Sequence, residues 1–511
     1  MLFNSFTFMI FLPVVFLLYW FIFKRLKWQN LLILMASYVF YGWWDWRFLI
    51  LIIITSASSF ASGLLIKRYE GQRHLQRAVS AANIVLNLGI LGVFKYFNFF
   101  VDSLSSLLAA FGMTVDWPTM HIILPVGISF YTFQALSYSI DVYARRIEPT
   151  KDPIAFFSFI SFFPQLVAGP IERATNLLPQ MQRERTFDYA VAVDGLRQML
   201  WGFFKKLVIA DRISPVVSQI FVVNYKDYSG TMLFIGVIMY AIQIYCDFSG
   251  GIDITRGAAQ MLGIELPLNF ERPYFSKSVA EYWRRWHITL GAWMREYVFY
   301  PIMLSKPMSK LSKKVKDKYG QQKSKYVPSV ITPFIVFILI GIWHGANWRY
   351  VAFGLYNAVV VAGSVALEPL FSKMSAKLKI KTESAGWQIF RVVRTFLILI
   401  FSKAIVKSPS LKVAAGIIFR MLTNFNIHIV GEFLDKDFDL GIKNWIVFGL
   451  ALILLFAISL MQEFGIHIRK SIAKWNIVPR WLVYFAMLLI ILIFGIYGPS
   501  YDASEFIYQA Y

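Results

Sequence analysis

The segment GIWHGANW, Gly341 to Trp348, puts an ionisable side chain, His344, inside a long apolar run. Counted from Phe334, a helix reaches Trp343 after about 15 Å, roughly half the depth of a bilayer's hydrocarbon core. A titratable group at that depth is costly, so it faces a protein cavity or a watered path. A neutral imidazole there can take a proton from an attacking hydroxyl, which is general-base chemistry. Trp343 and Trp348 flank it, Gly345 and Ala346 let backbone or ligand approach closely, and Asn347 adds an amide.

A second histidine stands in Glu281 to Pro301, EYWRRWHITLGAWMREYVFYP. Trp283, Trp286, Leu290, Trp293, Tyr297 and Tyr300 recur at steps of three and four, which predicts one amphipathic helix. Such a helix can lie in the interface with its arginines snorkelling. His287 follows Trp283 by four residues, on the apolar side, where an interfacial helix has no need of it. Glu281 and Arg285 are spaced to pair.

Just upstream, QIYCDFSGGID holds Asp247, Ser249 and Asp253 at the end of an apolar run. Gly250-Gly251 permit a sharp bend, and Arg256, Arg272, Arg284 and Arg285 are available partners. A salt-bridged turn holding two helices is favoured over direct catalysis for Asp247 and Asp253. In LPVGISFYTFQALSYSIDVY, Ser129, Tyr131, Thr132, Gln134, Ser137 and Tyr138 either glue helices together or line a path, with packing as the default. FFPQLVAGPIER, broken by Pro164, Gly169 and Pro170, suits a re-entrant hairpin. Asn269, Pro273 and Tyr274 read as an irregular connection.

The elements that position these groups are membrane helices. The chain has 511 residues, 58% hydrophobic and 18% aromatic, and only 16% are charged, below the quarter typical of soluble domains. The net charge of +22 is spread over short basic clusters between apolar runs, not along one stripe. This is the pattern of cytoplasmic loops, and it argues against nucleic-acid binding. Lys24 and Arg25 after the first run place the N-terminus outside, and the start reads as a retained span. Cys246 is the single cysteine, so no intrachain disulfide forms. Histidine and cysteine spacings fit no zinc site, and no phosphate-binding loop or GxSxG elbow occurs. Lys306–Lys325, with eight lysines and one aspartate, reads as a solvated loop that could rest on anionic lipid. The 424–444 region, with Glu432, Asp435, Asp437 and Asp439, reads as extracytoplasmic. The expectation is an all-α polytopic membrane protein. It has about eleven spans plus re-entrant and interfacial helices in one domain: N-terminal spans 1–120, motif-bearing core 121–370, C-terminal spans 371–511.

Taken in order, LPVGISFYTFQALSY, FFPQLVAGP, YCDFSG, RRWHITLGAWMREYVFYP and GIWHGANW resemble the membrane-bound O-acyltransferase family, in particular its bacterial alginate O-acetyltransferase branch. The resemblance implies a funnel-shaped helical core, with acetyl-CoA or a related thioester as cytoplasmic donor substrate and no permanently bound cofactor or metal. It implies an exported polysaccharide or cell-wall polymer as acceptor, an extracytoplasmic SGNH-type acetyltransferase as partner, and residence in a bacterial inner membrane. His344 matches the family's required histidine and His287 the second histidine of this branch. The chain departs from that branch at GGID, at the Lys-rich insert after Pro301, and at Phe401-Ser402-Lys403-Ala404, where an arginine is usual.

On this reading His344 is the base, and His287 orients a substrate or shares the proton. Trp343, Trp348, Asn347, Trp286, Ser249 and Gln134 line the substrate path. Asp247, Asp253, Arg284 and Arg285 form a supporting charge network that holds helices or donor phosphates. The rival classes are a proton-coupled transporter, which would also place a histidine at mid-depth, and a non-catalytic scaffold for the partner enzyme.

Overall fold

The structure, a computed structural model, describes residues 1–113, 123–167, 169–222, 225–429, 431, 438 and 440–497. His121 and the acidic residues Glu432, Asp435, Asp437 and Asp439 lie outside them. Among the described residues the chain is helical, with one isolated antiparallel bridge, Phe270 to Trp286. Seven helical stretches among them are long and apolar enough to cross a membrane. The longest, Leu26–Arg68, has 43 residues, about 65 Å of helix. Its backbone turns extended at Asp45 (φ −155°, ψ 110°), so it supplies two crossing lengths.

The helices group into two compact units. The first comprises Met1–Phe203 with Gly250–Pro267. It contains α1 (Phe6–Leu17), α2 (Leu26–Asp45), α3 (Leu49–Arg68), α4 (Arg73–Leu91), α5 (Phe97–Ala110) and α6 (Ile128–Tyr143). Four shorter helices follow: α7 (Pro153–Ser161), α8 (Phe163–Leu166), α9 (Ala174–Gln182) and α10 (Tyr189–Phe203). Side-chain hydroxyls and amides tie them together. Ser62 and Ser139 hydroxyls lie 2.9 Å apart, the Asn83 amide donates to Ser59 at 3.2 Å, and the Ser37 hydroxyl accepts the Phe163 N–H. Lipid offers helices no hydrophobic incentive to associate, so such bonds and small residues hold them. In α6, Ser139 serves this packing, and the Tyr138 hydroxyl accepts the Thr150 N–H at 3.2 Å. The break at Phe162 leads into the short, buried α8.

The second unit comprises Phe204–Ser249 and Leu268–Ile496. It contains α11 (Asp211–Val222), residues 230–249 of α12 (Gly230–Met261), α13 (Val279–Arg285), α14 (Ile288–Met294) and α15 (Tyr300–Met303). It continues through α16 (Lys306–Tyr319), α17 (Gln321–Ser324), α18 (Tyr326–His344), α19 (Trp348–Ala366), α20 (Glu368–Lys377), α21 (Ala385–Lys407) and α22 (Leu411–Thr423). α23 (Gly441–Glu463), α24 (Ile468–Ala473) and α25 (Ile477–Phe494) complete it. α18 and α19 meet along glycines. A Cβ on Gly341 would strike the Tyr350 carbonyl, and one on Gly354 would lie 2.5 Å from the Phe337 carbonyl. Backbones can approach this closely only where side chains are absent.

Four local expectations change. The sharp bend at Gly250-Gly251 does not occur: α12 runs unbroken for 32 residues. There the Gly202 Cα faces the Gly250 carbonyl, so the pair is a close helix contact. Lys306–Lys325 is helical rather than a loop. The Ser305 hydroxyl caps the Met308 N–H and Pro307 occupies the first turn, both helix-start signals. Residues 281–301 do not form one helix. Trp286 is extended (φ −106°, ψ 127°) because it bridges to Phe270, and His287 adopts φ +47°. Finally, α18 begins at Tyr326, not Phe334, and His344 is its last residue.

Candidate active site

His287 sits at the joint between α13 and α14. A left-handed conformation costs a non-glycine residue about 1–2 kcal/mol, and His287 keeps it because its neighbours are fixed. The Glu271 N–H donates to the Arg285 carbonyl at 2.9 Å and the Ile288 N–H to the Asn269 carbonyl at 3.0 Å. Residues 269–271 and 285–288 thus form a short two-stranded clasp, which turns the imidazole inward (2% exposed). There Nδ1 lies 3.1 Å from Asn269 Oδ1, and the ring meets Phe248 edge-on at 4.9 Å between centroids.

His344 arrives from the end of α18. Trp343 links the two histidines: its ring centroid is 5.9 Å from that of His287 and 5.1 Å from that of His344. Phe353 of α19 closes on His344 at 5.5 Å. Behind it, the Trp283 indole N–H donates to buried Asn357 Oδ1 at 3.3 Å, and the Asn357 amide donates to the Phe353 carbonyl at 2.8 Å. Aromatic walls around a buried imidazole and a half-buried one suit proton transfer.

Three lysines are buried in this unit: Lys205 and Lys206, which the motifs did not single out, and Lys403, noted only as a departure from the family pattern. Lys206 Nζ lies 2.8 Å from Asp211 and also reaches Asp247, while Lys205 donates to the Ser249 hydroxyl at 2.8 Å. Asp247 and Ser249 therefore bond lysines carried by the wide π turn Phe204–Ala210. Buried charges need such partners. Lys403 of α21 stands over Trp286, its Nζ 4.2 Å from the ring centroid, a cation–π distance. Asn269 was legible only as part of an irregular connection. The lysines did leave a signal, two adjacent charges inside an apolar run, which membrane segments keep for a purpose.

The other candidates have varied surroundings. Trp286 is buried against Phe270, Tyr274 and Tyr282. Asn347 caps α19, accepting the Arg349 N–H at 3.0 Å, and Trp348 is 55% exposed. Arg285 bonds Glu281 at 2.7 Å, as its spacing predicted, and Glu463 at 2.9 Å; Arg284 is exposed. Gln134 and Asp253 belong to the first unit. Gln134 is buried within α6, and Asp253 accepts from Gln198 at 3.0 Å. The structure thus brings His287, His344, Trp343 and Trp286 into one neighbourhood and gives Asn347 a capping role.

Residues 144–316 match the membrane-bound O-acyltransferase family. The probable alginate O-acetylase AlgI of Pseudomonas aeruginosa is 34% identical over 397 residues, 76% of this chain and 72% of that protein. The chain belongs to the membrane-bound O-acyltransferase family. Other relatives are the peptidoglycan O-acetyltransferase of Helicobacter pylori, 30% identical over 71% of this chain and 70% of that one, and the teichoic acid D-alanyltransferase of Bacillus subtilis, 28% identical over 56% and 69%. As a membrane-bound O-acyltransferase the protein is a multi-pass membrane enzyme, in keeping with its apolar helices. Both histidines lie in the stretch that carries the ordered family motifs, and His287 lies inside the matched residues.

Proposed function

We propose that the enzyme moves an acetyl group from a cytoplasmic thioester, acetyl-CoA, to hydroxyls of an exported polysaccharide, directly or through an extracytoplasmic SGNH-type transferase. The observation that carries this reading is the imidazole pair on one indole, His287 and His344 around Trp343. His344 acts as general base and His287 shares the proton. The hydroxyl oxygen attacks the thioester carbonyl, its proton passes to the imidazoles, and the thiolate leaves with that proton as thiol. Trp343 and Trp286 exclude water from the thioester. Arg285, tied to Glu281 and Glu463, holds the approach to the pair in place. Acetyl is favoured over D-alanyl because the relatives named for O-acetyl transfer are the more similar over more of the chain. The enzyme would reside in the inner membrane with its N-terminus outside, given the basic loops.

Vesicles carrying the protein and the acceptor polymer should transfer label from acetyl-CoA. His344→Ala should cut transfer at least about a hundredfold while protein level persists. Undiminished transfer by that variant removes the base assignment. Solute movement without any acyl transfer would favour a transporter instead.

A further inference from the structure

Three groups converge on one atom, Asn269 Oδ1. The Thr289 main-chain N–H lies 3.1 Å from it, the Thr289 hydroxyl 3.0 Å and His287 Nδ1 3.1 Å. A main-chain N–H can only donate, so the amide atom facing it is the oxygen and not the nitrogen. That oxygen only accepts, so the imidazole nitrogen beside it carries hydrogen. The neutral His287 ring is therefore the Nδ1–H tautomer, with its lone pair on Nε2. Asn269 cannot swing away to relax this choice. It is wholly buried, its carbonyl holds the Ile288 N–H, and the next residue is locked in the bridge to Trp286.

We propose that Asn269 is a positioning residue that holds His287 as a proton acceptor at Nε2. The proposal rests on the acyl-transfer reading above. During transfer the acceptor oxygen bonds to the thioester carbonyl carbon and the C–S bond breaks. The hydroxyl proton enters the histidine pair, where Nε2 is the atom of His287 that can hold it. It leaves on the thiolate sulfur, and both imidazoles end neutral. With the opposite tautomer His287 would offer a hydrogen where the reaction needs a lone pair. Thr289 fixes the amide, the amide fixes the ring, and the ring faces the indole shared with His344.

The test uses the full-length protein in lipid nanodiscs with ¹⁵N-labelled histidine, the His287 signals being those lost in His287→Gln. In the unaltered protein Nε2 should resonate as an unprotonated nitrogen and Nδ1 as a protonated one. Asn269→Leu should mix the tautomers and lower transfer about 100-fold, the smaller end of what a positioned base contributes. Asn269→Asp should keep the Nδ1–H tautomer. Its carboxylate favours the imidazolium, so the acid limb of the pH–rate profile should move to higher pH. A protonated Nε2 in the unaltered protein overturns the proposal, as does Asn269→Leu with unchanged spectrum and rate. If Asn269→Leu does not fold, the unaltered spectrum and the Asn269→Asp profile still decide. Normal transfer by both His287→Gln and His344→Ala, with the expected spectrum, would remove the histidine pair from the transfer step and leave the tautomer standing.

Discussion

Both units bury polar side chains, and they use them differently. In the first, Ser59 with Asn83, Ser62 with Ser139, and Ser37 with the Phe163 N–H join one helix to the next. Each is a short neutral side chain on a regular backbone. In the second, beside neutral groups such as Asn357 and Thr395, a set of titratable or charged groups is buried around an irregular stretch of backbone. They include a histidine at φ +47°, a lysine between two aspartates, and a lysine over an indole. Packing alone explains the first set. The second costs conformational and desolvation energy, which a purely structural helix bundle would avoid. The first unit buries charged groups too, Lys95, Asp141 and Glu172, so the contrast is between these two sets of contacts.

That contrast can be broken or sharpened by substitution. The largest effect should come from His344→Ala, which we expect to lower acyl transfer by 10²- to 10⁴-fold, the range of a general base. Amounts in the membrane, read by immunoblot, should stay unchanged. Next is Lys206→Met, which leaves Asp211 and Asp247 buried without their shared cation. Losing one member of a buried pair costs about 3–5 kcal/mol, so the thermal midpoint and membrane yield should fall together. Restoration by the triple change with Asp211→Asn and Asp247→Asn would confirm an electrostatic origin.

Gly354→Leu should come third. Its side chain would push α18 off α19 at the Phe337 carbonyl and shift His344 against Phe353. Transfer should drop more than stability does, as separate activity and melting measurements would show.

Two smaller effects belong to the first unit. Glu172 is buried outside the spanning helices, and burial pushes its carboxyl up to about 7, partly offset by the Asn176 amide and the Arg173 N–H. A raised carboxyl stabilises the fold fully below its ordinary value of 4.5. That contribution is lost as pH rises through about 7. Glu172→Gln should therefore raise the thermal midpoint at pH 8 and leave it unchanged at pH 4. Smallest of all, Ser62→Ala should cost about 0.6 kcal/mol, the average for such a bond between membrane helices, with transfer unaffected. A large activity loss there would erase the distinction between the units.

Much of this was legible in the chain. The apolar runs announce membrane helices, because length and hydropathy decide that outcome locally. His344 stands out as an ionisable group closing such a run, and the Glu281–Arg285 pair follows from spacing alone. Other features were misread for definite reasons. The aromatic period across 281–301 suggested one helix, yet the pairing of Trp286 with Phe270 outweighs the periodicity and breaks it. The glycine pair in α12 looked like a hinge, although glycine serves equally where another backbone presses close.

What the order of residues determined by itself is the class of molecule: helices that must satisfy their own backbone in lipid, and a histidine too costly to place among them without use. What the tertiary structure decided is the state of the chemistry. Which ring nitrogen of His287 bears hydrogen depends on an amide eighteen positions away, and which indole both imidazoles touch depends on where α18 ends. Those choices follow from hydrogen bonds and ring contacts between distant segments, which exist only once the chain has folded.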